Sequence, residues 1–169
     1  MMSSGRITKE SQVEYKIAKI LIHYGITVTT AESCTGGLVA GTLINAEGIS
    51  ASFKEGFITY SNEAKIRYLG VSEKTLEKQG AVSRECALEM AQGAARNTGA
   101  DAAVAVTGIA GPDGGTEEKP VGLVYIAVYT NGKTVVKRCH FGGDRNAVRH
   151  AAVKEALDLL YCQLLHCAQ

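Results

Sequence analysis

Four short stretches of the chain carry residues able to do chemistry where a strand would give way to a helix. The first, "AESCTGG", sets Ser33 beside Cys34 and follows them with Thr35, Gly36 and Gly37. If those last three residues open a helix, their N–H groups are unpaired and sit at the positive end of its dipole. Such a site suits a phosphate or the oxyanion of an acyl-transfer intermediate. The stretch follows the logic of a nucleophile elbow without its G-x-S-x-G pattern, and no Gly-Lys-Ser/Thr makes it a P-loop. A plain helix cap, with glycines allowing close helix–sheet packing, is the competing reading of the same residues. On this segment alone both stand.

A serine nucleophile needs a base. None of His23, His140, His150 and His166 falls at a strand end facing this turn, and His140, next to Cys139, reads as a sheet residue. Lys65 is the better candidate, because "TYSNEAK" puts Tyr60 at a strand end and Lys65 in the first turn of the following helix. A free lysine titrates near ~10.4, whereas a general base works best near the operating pH. Lys65 therefore has to be buried or set near a cation to serve.

Two further stretches suit an anionic ligand. "TGIAGPDGG" starts at a strand end with Thr107 and Gly108, and its glycines would let backbone approach a ligand closely. In "FGGDRNAVR", Arg145 and Arg149 lie i, i+4 at a helix start. Basic groups in a first turn oppose the dipole at roughly 0.3–1 kcal/mol each. Two arginines beside free N–H groups read as a carboxylate or phosphate clamp, with a solvated surface pair as the plainer alternative.

The elements that must position these residues alternate along the chain. Val13, Ile17, Ile20, Leu21 and Tyr24 recur at helical spacing and stop at Gly25. "ITVTTA" predicts a strand, "CTGGLVAGTLINA" a helix, "EGFITY" a strand and "NEAKIRYLG" a short helix. Ser83 is placed to cap "RECALEMAQGAARNTG". "DAAVAVTG" predicts a strand, and "VGLVYIAVY" and "KTVVKRCHF" predict two more joined by an Asn131-Gly132 hairpin. "DRNAVRHAAVKEALDLLYCQLL" closes as a helix with Val148, Ala152, Ala156, Leu159 and Leu160 inward. Alternation calls for a sheet covered on both faces, and the hairpin forces an antiparallel pair. The expectation is a three-layer α/β/α domain with a mixed sheet, one domain over residues 1–169 with its core at about 11–165.

Bulk properties remove several function classes. A chain of 169 residues with 46% apolar content fits one globular domain. Its 18 basic and 17 acidic residues form no basic excess or stripe, which argues against a nucleic-acid partner. No apolar run reaches the ~18 residues of a membrane span, and the start "MMSSGRITKE" lacks a signal-peptide core. A soluble cytoplasmic protein is expected. Cys34, Cys86, Cys139, Cys162 and Cys167 make an odd set without a C-x-x-C pair, so neither a disulfide framework nor a zinc ribbon is expected. Cys162 and His166 share a helical face near Cys167, but the reading is free thiols and no metal.

Taken together, "AESCTGGLVAGTL", "GISASF", "ITYSNEAKIRYLGV", "GAVS", "VAVTGIAGPDGG", "KPVGLVYIAV" and "FGGDRNAVR" resemble the CinA C-terminal domain family. The likeness runs in order from about Ser11 to Leu160. It implies nicotinamide mononucleotide deamidation, giving nicotinate mononucleotide and ammonia, with no cofactor and no metal. It assigns a serine–lysine dyad to Ser33 and Lys65 and an assisting tyrosine to Tyr60. It puts Thr107, Gly108 and Arg145 in the substrate pocket, with Arg149 beside them, and makes the amides of Thr35, Gly36 and Gly37 the oxyanion donors. Longer relatives carry an additional pyrophosphatase-like domain, so the chain resembles the stand-alone form, and relatives suggest a homo-oligomer. Lys54-Glu55 stand where small residues are common in the family. A nucleotide-binding module without chemistry, in a competence or repair complex, is the rival reading.

The resemblance also bears on the choice between the two adjacent nucleophiles. A thiol is partly ionised near neutrality and a hydroxyl is not, which by itself favours Cys34. Neighbouring side chains leave a turn in different directions, however, and a cysteine at the base of an apolar helix packs as a small hydrophobe. The expected nucleophile is Ser33.

Overall fold

The computed structural model describes residues 11–167. The reading of "MMSSGRITKE" lies outside them. The elements run α1 (Val13–Tyr24), β1 (Val28–Glu32), α2 (Leu38–Leu43), β2 (Phe53–Ile58), α3 (Asn62–Leu69), α4 (Glu73–Gln79), α5 (Arg84–Thr98), β3 (Ala102–Gly108), β4 (Leu123–Thr130), β5 (Lys133–His140) and α6 (Arg145–Cys167). The strands form one mixed sheet in the order β2-β1-β3-β4-β5. β1 pairs parallel with β2 and β3, while β3–β4 and β4–β5 are antiparallel. The expected α/β architecture is the observed one.

Alternation along the central strands explains the layering. On β3, Ala102, Val104 and Val106 face a core shared with α1, α2 and α6, including Ile17, Leu21, Leu43, Leu157 and Leu160. Ala103 and Ala105 face the other way, onto Met90, Ala91 and Ala94 of α5 and Leu69 of α3. The second layer is built of small residues, so α5 packs close. A Cβ added at Gly93 would lie 1.8 Å from the Leu69 carbonyl oxygen.

Several boundaries follow from single residues. Ser83 accepts from the Cys86 amide at 3.1 Å and Ser61 from the Ala64 amide at 3.1 Å, each starting its helix. Asn131 (φ 49°) and Gly132 (φ 78°) both take the left-handed conformation that a two-residue hairpin requires. Two expectations need correction, and one helix had no sequence signal. The helix expected from Cys34 begins at Leu38, because Gly36 (φ 61°) and Gly37 (φ 98°) leave the right-handed region and hold residues 33–37 in a turn. α4 was not anticipated: "EKTLEKQ" offers one apolar residue and buries none, so it carries no period to read. In α6, Leu159 is half-buried, while Val153, Leu157 and Leu164 complete the inward face.

No helix among the described residues is long and apolar enough to cross a membrane. All five cysteines are free, and no described group of His, Cys, Asp and Glu is arranged to hold a metal ion.

Candidate active site

The parallel strands β2, β1 and β3 end on the same side of the sheet, where ligands of open α/β folds bind. A cavity of about 270 Å³ opens there. Its walls include Ser33 and Cys34 after β1, Tyr60 and Lys65 after β2, Thr107 and Gly108 at the end of β3, and Arg145 from α6. Ala81 and Val82 close one side, and Ile109 to Gly111 with Asp113 and Gly114 close another.

Ser33 is anchored by its own amide, which donates to the Val106 carbonyl at 2.9 Å. Lys65 is inward because α3, capped by Ser61, begins at Asn62 and buries its fourth residue. The lysine is 1% exposed, the largest of the fully buried side chains. Its Nζ donates to Ser33 Oγ at 3.1 Å and to the Thr59 carbonyl at 2.7 Å. Burial pulls the Lys65 pKa below its ordinary value; the thiols of Cys86 and Cys34 and the Glu63 carboxylate pull the other way and do not cancel it. A lysine with a depressed pKa, hydrogen-bonded to a hydroxyl at a cavity wall, can serve chemically as a base beside a nucleophile.

Cys34 is also at the wall, but it is 5% exposed and packs in the core beneath α2. Burial pushes its thiol up to about 11, so it is not a thiolate near neutrality. Cys86 is likewise pushed up to about 11 by burial.

The anion-binding candidates divide. Arg145 Nη1 donates to the Gly111 carbonyl at 2.8 Å and Nη2 to the Tyr60 hydroxyl at 2.9 Å, so arginine, glycine loop and tyrosine form one cluster at the mouth. Tyr60 is 62% exposed, and its hydroxyl is bonded to this arginine rather than to Ser33 or Lys65. Thr107 is buried with Oγ1 donating to the Ala81 carbonyl at 2.8 Å, which ties the end of β3 to the wall before α5. Gly108 admits no side chain, since a Cβ there would meet the Leu123 oxygen at 2.8 Å. Arg149 turns elsewhere: its Nε donates to the Cys34 carbonyl at 3.0 Å and Nη2 to the Thr35 carbonyl at 3.1 Å.

Two of the three amides expected to hold an oxyanion are engaged within the protein. Thr35, Gly36 and Gly37 are absent from the cavity wall. The Gly36 amide donates to the Ser33 carbonyl at 3.1 Å, and the Gly37 amide donates to Glu32 at 3.0 Å. Glu32, which the sequence reading passed over, is wholly buried and also accepts from Val39 (3.0 Å) and Ala40 (2.9 Å). The helix start that appeared free for an oxyanion is occupied by a carboxylate of the protein itself. Asp113, Ala81 and Val82 also line the cavity, and the Ser83 cap is the one local sequence signal adjoining the last two.

Comparison with known proteins places this chain in a family. The family model described as CinA C-terminal domain matches residues 10–164. A CinA-like protein from Kosmotoga olearia is 54% identical over 156 residues, which are 92% of this chain and 38% of that relative. A competence/damage-inducible protein from Agrobacterium tumefaciens, solved by crystallography, superposes with a TM-score of 0.84 at 46% identity, over 90% of this chain and 96% of that one. A CinA-superfamily protein from Klebsiella pneumoniae 700603 gives 0.87 at 40% identity, over 91% and 96%. The chain belongs to the CinA C-terminal domain family. It spans less than two-fifths of the length of the Kosmotoga relative.

Proposed function

We propose that the protein is an amidohydrolase that deamidates nicotinamide mononucleotide through an acyl-serine. The observation that carries this reading is the buried Lys65 Nζ, 3.1 Å from Ser33 Oγ, with its pKa lowered by burial. Neutral Lys65 takes the Ser33 proton as Oγ attacks the carboxamide carbon. The tetrahedral adduct collapses as the lysine ammonium protonates the departing nitrogen, releasing ammonia and leaving the acyl on Ser33. Water then adds to the acyl carbon with Lys65 again as base, and nicotinate mononucleotide leaves with one water oxygen in its carboxylate. The pyridinium charge of the substrate favours a neutral lysine beside it, in the direction burial already pushes.

Arg145, with the Gly111 loop and Tyr60, supplies the cationic mouth suited to the phosphate. Thr107 and Gly108 shape the cavity floor. A module that only bound nucleotides would share the arginine and the glycine loop but would have no use for burying a lysine against a serine. The test is ammonia release from nicotinamide mononucleotide, nicotinamide riboside and nicotinamide at equal concentration. The nucleotide is expected to be hydrolysed far faster than the other two. Release from none of the three would remove the reading.

A further inference from the structure

The turn that carries Ser33 is held from both sides by charged groups that do not line the cavity. Glu32, the last residue of β1, takes amides: Oε2 accepts from Gly37 and Val39, and Oε1 accepts from Ala40. Arg149, one helical turn beyond Arg145 on α6, takes carbonyls, donating Nε to Cys34 and Nη2 to Thr35. The guanidinium also lies against the turn, since a Cβ on Gly36 would stand 3.6 Å from Arg149 Nη2.

The turn needs such restraint. Two successive glycines at positive φ give it more accessible backbone conformations than any other pair would. The α2 helix that follows has six residues, too few to hold its own start. The nucleophile's bond to Lys65 depends on where this backbone puts Oγ.

We propose that Glu32 and Arg149 are positioning residues for Ser33, and that Arg149 acts through the Cys34 and Thr35 carbonyls rather than on the substrate. The inference rests on the Ser33–Lys65 reading above. A guanidinium bonds the two carbonyls through separate N–H groups of one rigid plane, and it stays charged at any working pH. An ammonium at position 149 lacks that fork. At position 32, glutamine would set an NH2 group against at least one of the three amides, whichever way it is turned.

The experiment compares wild type, Arg149→Lys, Arg149→Met and Glu32→Gln in three measurements: steady-state ammonia release, a thermal melt, and labelling of Ser33 by a fluorophosphonate followed by intact mass. A nucleophile displaced by about 1 Å loses on the order of 10²-fold in rate. Arg149→Met and Glu32→Gln are therefore expected to drop kcat by about that factor with KM nearly unchanged, and to slow labelling in parallel. Arg149→Lys should fall between Arg149→Met and wild type. A raised KM with kcat retained in Arg149→Lys or Arg149→Met would make Arg149 a substrate ligand and overturn the proposal. Normal kcat and labelling per folded molecule, with only a lower melting temperature, would overturn it too. Labelling of Ser33 is independent of the substrate. A wild-type protein that labels but releases no ammonia would fail the proposed reaction, while the variants' labelling rates would still decide the positioning role. A wild type that does neither would overturn both.

Discussion

Lys65 is where the proposed chemistry and the stability of the fold meet, and its replacement separates them. Lys65→Met keeps much of the apolar stem and removes Nζ, and with it the donors to Ser33 Oγ and the Thr59 carbonyl. Loss of a positioned general base costs about 10²–10⁴-fold in rate, equivalent to ~2.7–5.5 kcal/mol of barrier. Lys65→Arg retains the charge but cannot give it up, so it is expected to be nearly as inactive. Stability runs differently. Burial lowers the Lys65 pKa, so the folded protein releases this proton at a pH where the unfolded chain, titrating near ~10.4, still holds it. Between those two values the unfolded state binds more protons, and stability rises with pH. The stability of wild type relative to Lys65→Met should therefore climb through that window and be level above and below it. Against this, the methionine strands the buried Thr59 carbonyl, a pH-independent cost of about 1–3 kcal/mol. Urea unfolding of both proteins from pH 6 to pH 11 reads the climb, and ammonia release reads the rate. An active Lys65→Arg protein, or a stability difference that falls as pH rises, would refute the reasoning.

Three other outcomes follow from particular contacts. Ser33→Ala should fold normally and lose ammonia release by several orders of magnitude, whereas Cys34→Ala should keep most activity and lose about 1 kcal/mol in a thermal melt, as a buried thiol raised to about 11 would suggest. Arg145→Ala should lower kcat/KM for the nucleotide by the ~1.5–3 kcal/mol of a charge-assisted hydrogen bond while leaving the riboside nearly unaffected; an equal loss on both compounds would take the arginine off the phosphate. Gly93→Ala, whose Cβ would lie 1.8 Å from the Leu69 oxygen, forces α5 away from the end of α3 and should cost about 1–3 kcal/mol of stability by chemical denaturation.

What the sequence disclosed, and what it withheld, divides along physical lines. Glycine caps, the Asn-Gly hairpin and the apolar periods of α1, α5 and α6 are local signals, and the layered fold follows from them. Ser33 and Lys65 stand out as candidates by type and strand-end place, and it is the family resemblance that assigns them as a dyad. Glu32 was not, because a carboxylate at a strand end is ordinarily solvated and its partners here are backbone amides, which leave no mark on residue type. Arg149 lies outside the cavity wall for a related reason. Spacing i, i+4 puts it on the face of Arg145, yet one helical turn is ~5.4 Å of rise. That is enough for Arg145 to reach Gly111 and Tyr60 while Arg149 reaches Cys34 and Thr35.

Glu32 and Lys65, both buried beside Ser33, act on the site in different ways. The two oxygens of Glu32 accept three amides at the start of α2. The groups that raise the Lys65 pKa are the Cys86 and Cys34 thiols and Glu63, and the first two, each pushed to about 11 by burial, carry little negative charge near neutrality. Desolvation is left as the dominant influence on the lysine. Glu32 fixes the turn that aims Ser33, while the burial of Lys65, opposed by these weaker neighbours, favours the neutral amine that the proposed reaction needs.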